Sequence, residues 1–366
     1  MKKLDDLIKE KESLFEKLEK TNLPIVLWGM GDGAVKLLSI LEKRGIVCRG
    51  VFASDEFARY NEFHSFTVKK LSDIEKEFDD FIILTAFASR IDEVCDKILE
   101  VSKKHTLFVP DINVVRDATE VFDRRFYEEN RERLERVFNA LEPFSKEAFA
   151  AIINFKLSGK CEYLERLEEL RKTEFLPYDK NKITSFADFG AYNGDTIIEA
   201  LNTYPGLKKI AGFEPDEKTF KKLEKNCASL SVTPELFNAV VYRENTLLEL
   251  FEGAGKNTLL QKNANENASL QDKKHRTVTA FRADSALTFT PDLIKMDVEG
   301  SETEALEGCR GFFENARPVL RISIYHNNRD LFEIFEKIEE IKKGYKFSLS
   351  QKCRYIPAWD IELVAY

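Results

Sequence analysis

The 366 residues exceed one core at about 100–200 residues per domain, and 29 Phe with 11 Tyr supply apolar bulk for more than one, which excludes a disordered chain. The 56 Lys and Arg against 64 Asp and Glu give a net charge of −8, the wrong sign for coating a nucleic acid, so no nucleic-acid partner is expected. No apolar run reaches the ~18–20 residues of a membrane span, so no transmembrane segment is expected.

Residues 3–21 place Leu4, Leu7, Ile8, Leu14, Phe15 and Leu18 at helical spacing, which predicts one amphipathic helix packed on the first domain. IVLWG, GMGDGA, VKLLSILEKRG and IVCRGVF then read as strand, glycine turn, helix and strand, a βαβ unit; FIILTAF and HTLFVP read as further strands. Gly29-x-Gly31-x-x-Ala34 fits the dinucleotide fingerprint with Ala in third place, and Asp55 lies twenty-one residues beyond Ala34. Taken alone this supports an NAD-dependent oxidoreductase centred on the first domain. Nothing nearby in the sequence supplies a hydride-transfer site, so a Rossmann-like domain that keeps its glycines for geometry is the favoured reading. A non-catalytic module binding a nucleotide or sugar nucleotide is the third.

Residues 117–173 hold almost no Gly or Pro and predict two or three helices broken near Pro143 and Gly159. A second α/β pattern follows: ITSFADFG, TIIEALNTY, LKKIAGFE, DEKTFKKLEKNCASL and PELFNAVVY alternate as strands and helices. The polar stretch 252–275 reads as a mobile loop or a small hairpin. PDLIKMD, ETEALEGCRGFF, PVLRISIYH and NRDLFEIFEKIEEIKKG continue the alternation, and KFSLS with DIELVAY close the chain as two strands. The expected organisation is an α/β chain: a Rossmann-like domain at 1–115, a helical connector at 116–175 and a second α/β domain at 176–366.

The informative segment is DFGAYNGDT at 188–196, where a strand ends in a glycine turn and a helix begins. Twenty-six residues past Asp188 the next strand ends in Glu214, placed as a ribose-binding acid is placed in nucleotide-binding folds. This segment contains neither G-x-G-x-x-G nor a phosphate loop, and its acids at 188 and 195 suit an amine or a sulfonium cation. S-adenosylmethionine fits better than NAD or ATP. Asp195 also sits where a helix cap belongs.

DFGAYNGDT, GFEPDEKTFKKLEKN, LIKMDVEGSETEALEG and RPVLRISIYHNNRDLFEI resemble, in order and spacing, the motifs of the FkbM family of methyltransferases, over roughly 176–366. The resemblance implies a class I methyltransferase fold, a seven-stranded mostly parallel sheet with an antiparallel C-terminal strand. It implies S-adenosyl-L-methionine as cofactor and methyl transfer to a hydroxyl oxygen of a small-molecule acceptor, a sugar, glycan or secondary metabolite. It also assigns Asp188, Gly190, Ala191 and Gly194 to the methionine end of the cofactor, Glu214 to the ribose, and Asn238 and Ala239 to the adenine border. Tyr192 stands where the family often has a glycine; its ring is read either as lying near the sulfonium or as a packing aromatic.

In the class I strand order that the resemblance implies, the strands ending at Asp188 and Asp297 are neighbours where strand order reverses. Ligands of open α/β sheets sit beyond such strand ends, which singles out Asp297, with Glu299 one pleat later. Ser301 and Glu304 form a capping-box pattern, and Glu302 with Glu304 suit a helix N-terminus; both glutamates are read as structural. His326 ends the following strand, where such a residue is ordinarily solvated; His326 or Asp297 is the expected base. Two carboxylates are too few to claim Mg²⁺, so no metal is expected. The N-terminus lacks the apolar stretch of a signal peptide, and the six scattered cysteines show no CxxC, which points to the cytoplasm. A homo-oligomer is compatible with the sequence.

Overall fold

Apolar runs stopped by polar or glycine turns build three β-sheets among the described residues. The computed structural model describes residues 3–55, 60–113, 120–173, 175–252, 258–261 and 275–366, with backbone alone at 251–252 and 258–261. The first sheet contains β1 (Ile25–Trp28), β2 (Cys48–Phe52), β3 (Glu62–Phe63), β4 (Phe66–Lys69), β5 (Ile82–Thr85) and β6 (Thr106–Phe108), in the order β3-β4-β2-β1-β5-β6. All its pairings are parallel except β3 with β4. β1 and β5 are buried at every residue, as central strands covered on both faces must be. The β3–β4 hairpin escapes sequence reading because its strands are too short to show a period.

Helices α1 (Leu14–Lys20), α2 (Asp32–Lys43), α3 (Leu71–Glu77) and α4 (Asp92–Ser102) accompany this sheet. The single N-terminal helix expected over 3–21 is absent: a 3₁₀ turn at Leu4–Asp6 and α1 are separated by non-helical chain. Asn154 is the reason. Its Oδ1 accepts the N–H of Lys9 at 2.7 Å and of Glu10 at 3.2 Å, bonds a continuous helix would have used internally. The break also lets Leu4 and Ile8 join one hydrophobic core while Leu14, Phe15 and Leu18 join another.

Helices α5 (Arg124–Ala140), α6 (Pro143–Ser158) and α7 (Cys161–Arg171) break at Pro143 and Gly159, as the sequence suggests. From Phe149 to Ser158 every residue of α6 is buried, so this helix lies within the packed interior.

The chain then lays down β7 (Ser185–Phe189), α8 (Asp195–Thr203), β8 (Lys209–Phe213), α9 (Glu217–Cys227) and β9 (Glu235–Phe237). PELFNAVVY is not one strand. It turns at Asn238, and Val240–Val241 becomes β10, which pairs instead with β13 (His275–Phe281) in a sheet ordered β10-β13-β11-β12. In that sheet β11 (Thr246–Glu252) and β12 (Thr258–Gln261) are antiparallel, so part of the polar excursion is a hairpin; residues 253–257 and 262–274 of it lie outside the described residues.

After α10 (Ala283–Ala286) come β14 (Leu293–Met296), α11 (Glu302–Glu307), α12 (Phe312–Asn315), β15 (Val319–Ser323), α13 (Asp330–Ile341), β16 (Phe347–Gln351) and β17 (Ile361–Ala365). The third sheet runs β16-β17-β15-β14-β7-β8-β9, with β17 antiparallel to both its neighbours. The mostly parallel α/β architecture is as expected. Strand order reverses between β7 and β14, whose partners include Asp188 with Lys295 and Phe189 with Met296. The crevice beyond their carboxyl ends is where this topology opens a binding site.

Candidate active site

β7 is buried along its whole length, and Asp188 near its end is fully buried. The turn that follows is pressed against the exit of β14. Gly190 adopts φ +84°, and a Cβ there would stand 1.9 Å from the Asp297 carbonyl oxygen. The N–H groups of Gly190 and Ala191 both donate to Phe213 O, at 3.0 and 2.9 Å, which ties the turn to β8. Ala191 and Gly194 are buried, and Gly194 caps α8, so Asp195 is the first helical residue and accepts from the N–H of Thr196. Tyr192 lies outside the core with 44% of its surface exposed.

Lys295 escaped the sequence reading. Its ammonium is 3.3 Å from Asp188 Oδ1 and 3.9 Å from Asp297 Oδ2, and donates to Gly190 O at 3.3 Å. The available signal was a lone cation inside the buried run of β14. Burial pushes the Asp188 carboxyl up to about 6, with Lys295 opposing it. At Asp297 burial is outweighed by Lys295 and His326, and the carboxyl is held well below its usual range. Neither carboxyl oxygen of Asp188 makes a hydrogen bond within the described residues.

Glu214, at the end of β8, faces back to the turn: its Oε2 accepts from the Tyr192 N–H at 3.1 Å and its Oε1 from the Asp216 N–H at 2.8 Å. Burial raises its carboxyl to about 7 despite these bonds. Asn238 Nδ2 donates to Glu214 O at 2.9 Å, whereas Ala239 is wholly enclosed in the core. Arg276 of β13 pairs with Asp216 at 2.6 Å, so the second sheet reaches the same loop.

On the other side of the crevice stands an acid–imidazole cluster. His326 follows β15 and is fully buried. Its Nε2 lies 3.2 Å from Asp297 Oδ1 and 3.7 Å from Glu299 Oε2, and its Nδ1 lies 3.0 Å from Glu302 Oε1. Glu302 is itself fixed, accepting the N–H groups of Val298 at 3.1 Å and Gly300 at 3.3 Å. The Tyr325 hydroxyl donates to Asp297 Oδ1 at 3.2 Å. Burial disfavours the charged ring, but Glu302 and Asp297 outweigh it and hold the His326 proton well above the ordinary 6.5. Glu299 takes φ +53°, a strained value for a side-chain-bearing residue, which kinks the chain between Asp297 and Glu302. Ligand atoms of Asp297, Glu302 and His326 lie within 4.8 Å of one another, a spacing open to a metal. The two carboxylates stand beside opposite ring nitrogens at ion-pair distance, and neither nitrogen makes a hydrogen bond among the described residues.

Residues 188–349 match the family model described as Methyltransferase FkbM domain. This segment is similar to an FkbM methyltransferase domain. The FkbM methyltransferase of Methylobacillus flagellatus KT shares the fold, with a TM-score of 0.68 at 16% identity over 99% of this chain and 92% of that one. A precorrin-6y C5,15-methyltransferase of Geobacter metallireducens GS-15 (TM-score 0.32, 12% identity, 55% of this chain and 86% of that chain) and a putative rRNA-methylase of Clostridium thermocellum (0.30, 11%, 50% and 84%) overlap too loosely to bear on function. No curated protein matches the chain.

The segment matched by the family model contains every residue singled out for the site, and within it Asp188, Gly190, Lys295 and Asp297 meet at the crevice, as do Asp297, Glu299 and His326. Three expectations change. His326 is not a solvated strand-end residue but a wholly buried one. Glu302 is not a helix-end ornament, since its carboxylate backs the imidazole. The Ser301–Glu304 capping box does not form: Ser301 makes no capping hydrogen bond, and Glu304 faces Arg243 at 3.5 Å.

Proposed function

We propose that the chain is an S-adenosylmethionine-dependent methyltransferase acting on a hydroxyl oxygen of a small-molecule acceptor, a sugar or secondary metabolite. The observation that carries this reading is the convergence of Asp188 and the Asp297–His326–Glu302 cluster on the exits of two adjacent strands at the reversal of strand order. The donor set fits the cofactor. Asp188 Oδ1 faces the Lys295 ammonium at 3.3 Å, and the buried Oδ2, without a hydrogen bond among the described residues, suits the ammonium of its methionine end. The turn at Gly190 leaves no room for a side chain, so backbone approaches the crevice closely. Glu214 offers acceptor capacity for ribose hydroxyls beside its two backbone bonds.

When bound, the cofactor supplies a methyl group made electrophilic by the sulfonium. Methyl transfer is an in-line displacement, and alignment of acceptor and methyl supplies ~7–11 kcal/mol of the barrier reduction. Asp297, with 26% of its side chain exposed, is the member of the cluster open to the crevice and accepts the hydrogen bond of the acceptor hydroxyl. The proton lost by the hydroxyl passes to the ionised Asp297 carboxylate and on to solvent, while the already protonated His326 holds that carboxylate in place. Calorimetry with S-adenosylmethionine and S-adenosylhomocysteine, followed by a labelled-methyl acceptor screen, tests the proposal. Failure of the folded protein to bind either compound refutes it.

A further inference from the structure

His326 is followed by two asparagines, Asn327 and Asn328, of which only 2% and 1% is exposed. Consecutive buried amides are tolerated only if their donors and acceptors are met. Asn327 turns to its own helix, its N–H donating to Asp330 Oδ2 at 2.9 Å. Asn328 turns to distant chain. Its N–H donates to Asn113 Oδ1 at 3.0 Å, its Nδ2 to Glu120 O at 3.1 Å, and its Oδ1 accepts from Lys156 Nζ at 3.3 Å. Asn113 Nδ2 donates to the same Glu120 carbonyl at 3.1 Å, and Arg329 reaches the Glu120 carboxylate at 2.9 Å. Lys156 is paired with Asp111, and both are buried.

We propose that Lys156 and Asn328 are positioning residues for His326: the chain leaving β6 and helix α6 grip the turn after β15 and so fix where the imidazole stands among its acids. This role rests on the methyl-transfer reading of the Asp297–His326–Glu302 cluster. A buried ion pair is weak evidence for stability, since apolar replacement is often neutral. Lys156–Asp111 lies more than 150 residues upstream of the turn; besides the Phe122 ring, 5.9 Å from the Lys156 ammonium, it meets the Asn328 amide. Such an arrangement secures a geometry. It also gives the N-terminal half a task in the FkbM site that needs no ligand of its own.

The test uses the full chain and its four histidines, His64, His105, His275 and His326. Imidazole ¹⁵N signals are followed through a pH titration, with His326→Gln assigning the peak. Two variants are compared with the parent: Lys156→Met combined with Asp111→Asn, which leaves no buried charge unpaired, and Asn328→Ala. The expected result is a fall of the His326 titration midpoint by about one unit or more toward the ordinary value. S-adenosylhomocysteine affinity stays within about twofold, because the turn at Gly190 is untouched, and Lys156→Arg restores the parent titration. Cooperatively folded variants whose His326 signals and titration superimpose on the parent overturn the proposal. If the double variant does not fold, Asn328→Ala decides. If the parent binds no S-adenosylhomocysteine, the methyl-transfer reading fails while the positioning result still stands.

Discussion

Gly190→Ala is the sharpest probe of where the proposed cofactor lies. The added Cβ would stand 1.9 Å from the Asp297 oxygen and 2.9 Å from its carbonyl carbon, at a backbone φ of +84°. Both atoms are main chain, so no side chain can swing away; the exits of β7 and β14 must part by about 1.5 Å to restore ordinary contact. Left-handed φ adds ~1–2 kcal/mol for a side-chain-bearing residue and overpacking ~1–3 kcal/mol, together less than typical domain stability. The protein should therefore fold with Asp188 and Asp297 displaced, and a displacement of about 1 Å can lower function ~100-fold. Gly33→Ala is the matched control, because its Cβ would stand 2.4 Å from Ala86 O beside the first sheet. Calorimetry should show S-adenosylmethionine affinity down about 100-fold in Gly190→Ala and unchanged in Gly33→Ala, with thermal melts confirming that both fold. Parent-like affinity in Gly190→Ala, or loss in Gly33→Ala alone, would falsify the placement over the third sheet and favour a nucleotide site on the first.

Further outcomes follow from the same geometry. Glu302→Gln keeps an acceptor for Val298 and Gly300 but removes the charge behind Nδ1, so the His326 titration should move down toward 6.5. In the parent, the raised ring pKa contributes stability that is complete below about pH 6.5 and lost as pH rises through the folded-state value. Urea unfolding between about pH 6 and 9 should show that decline, weakened in Glu302→Gln; equal slopes in both proteins would remove Glu302 from the account. His326→Asn should retain S-adenosylhomocysteine binding within a fewfold and lose ~100-fold or more of methyl transfer to any acceptor found by screening. Burial holds the Glu214 carboxyl near 7, so cofactor affinity should fall as pH drops from about 8 to 6 and the hydroxyl-accepting charge is neutralised. Glu214→Gln should show weaker binding without that dependence.

Local signals revealed the strands that matter most. IVLW, SFADF and LIKM are short apolar runs ending in turn chemistry, and they became β1, β7 and β14. Asp188, Glu214 and Asp297 could be found because strand ends and their acids are written in order along the chain. What stayed hidden depended on partners chosen by tertiary packing. Residues 3–21 have helical spacing, but nothing in that spacing announces that the Asn154 amide will take the N–H groups of Lys9 and Glu10. Glu302 sits among helix-end acids, and only the arrival of β15 beside β14 puts His326 against it. Lys295 looks like an interruption of an apolar strand until Asp188 is seen as its register partner. Periodicity reports which face is buried; it does not report which polar group waits there.

The place of β17 constrains how the protein can be made. It lies between β15 and β16, so β16 joins the third sheet through a strand synthesised after it. The segment 347–351 reaches the third sheet only through residues 361–365, although Phe347 also bridges Leu141. A chain cut short before Ile361 would leave β15 as an open, aggregation-prone sheet edge.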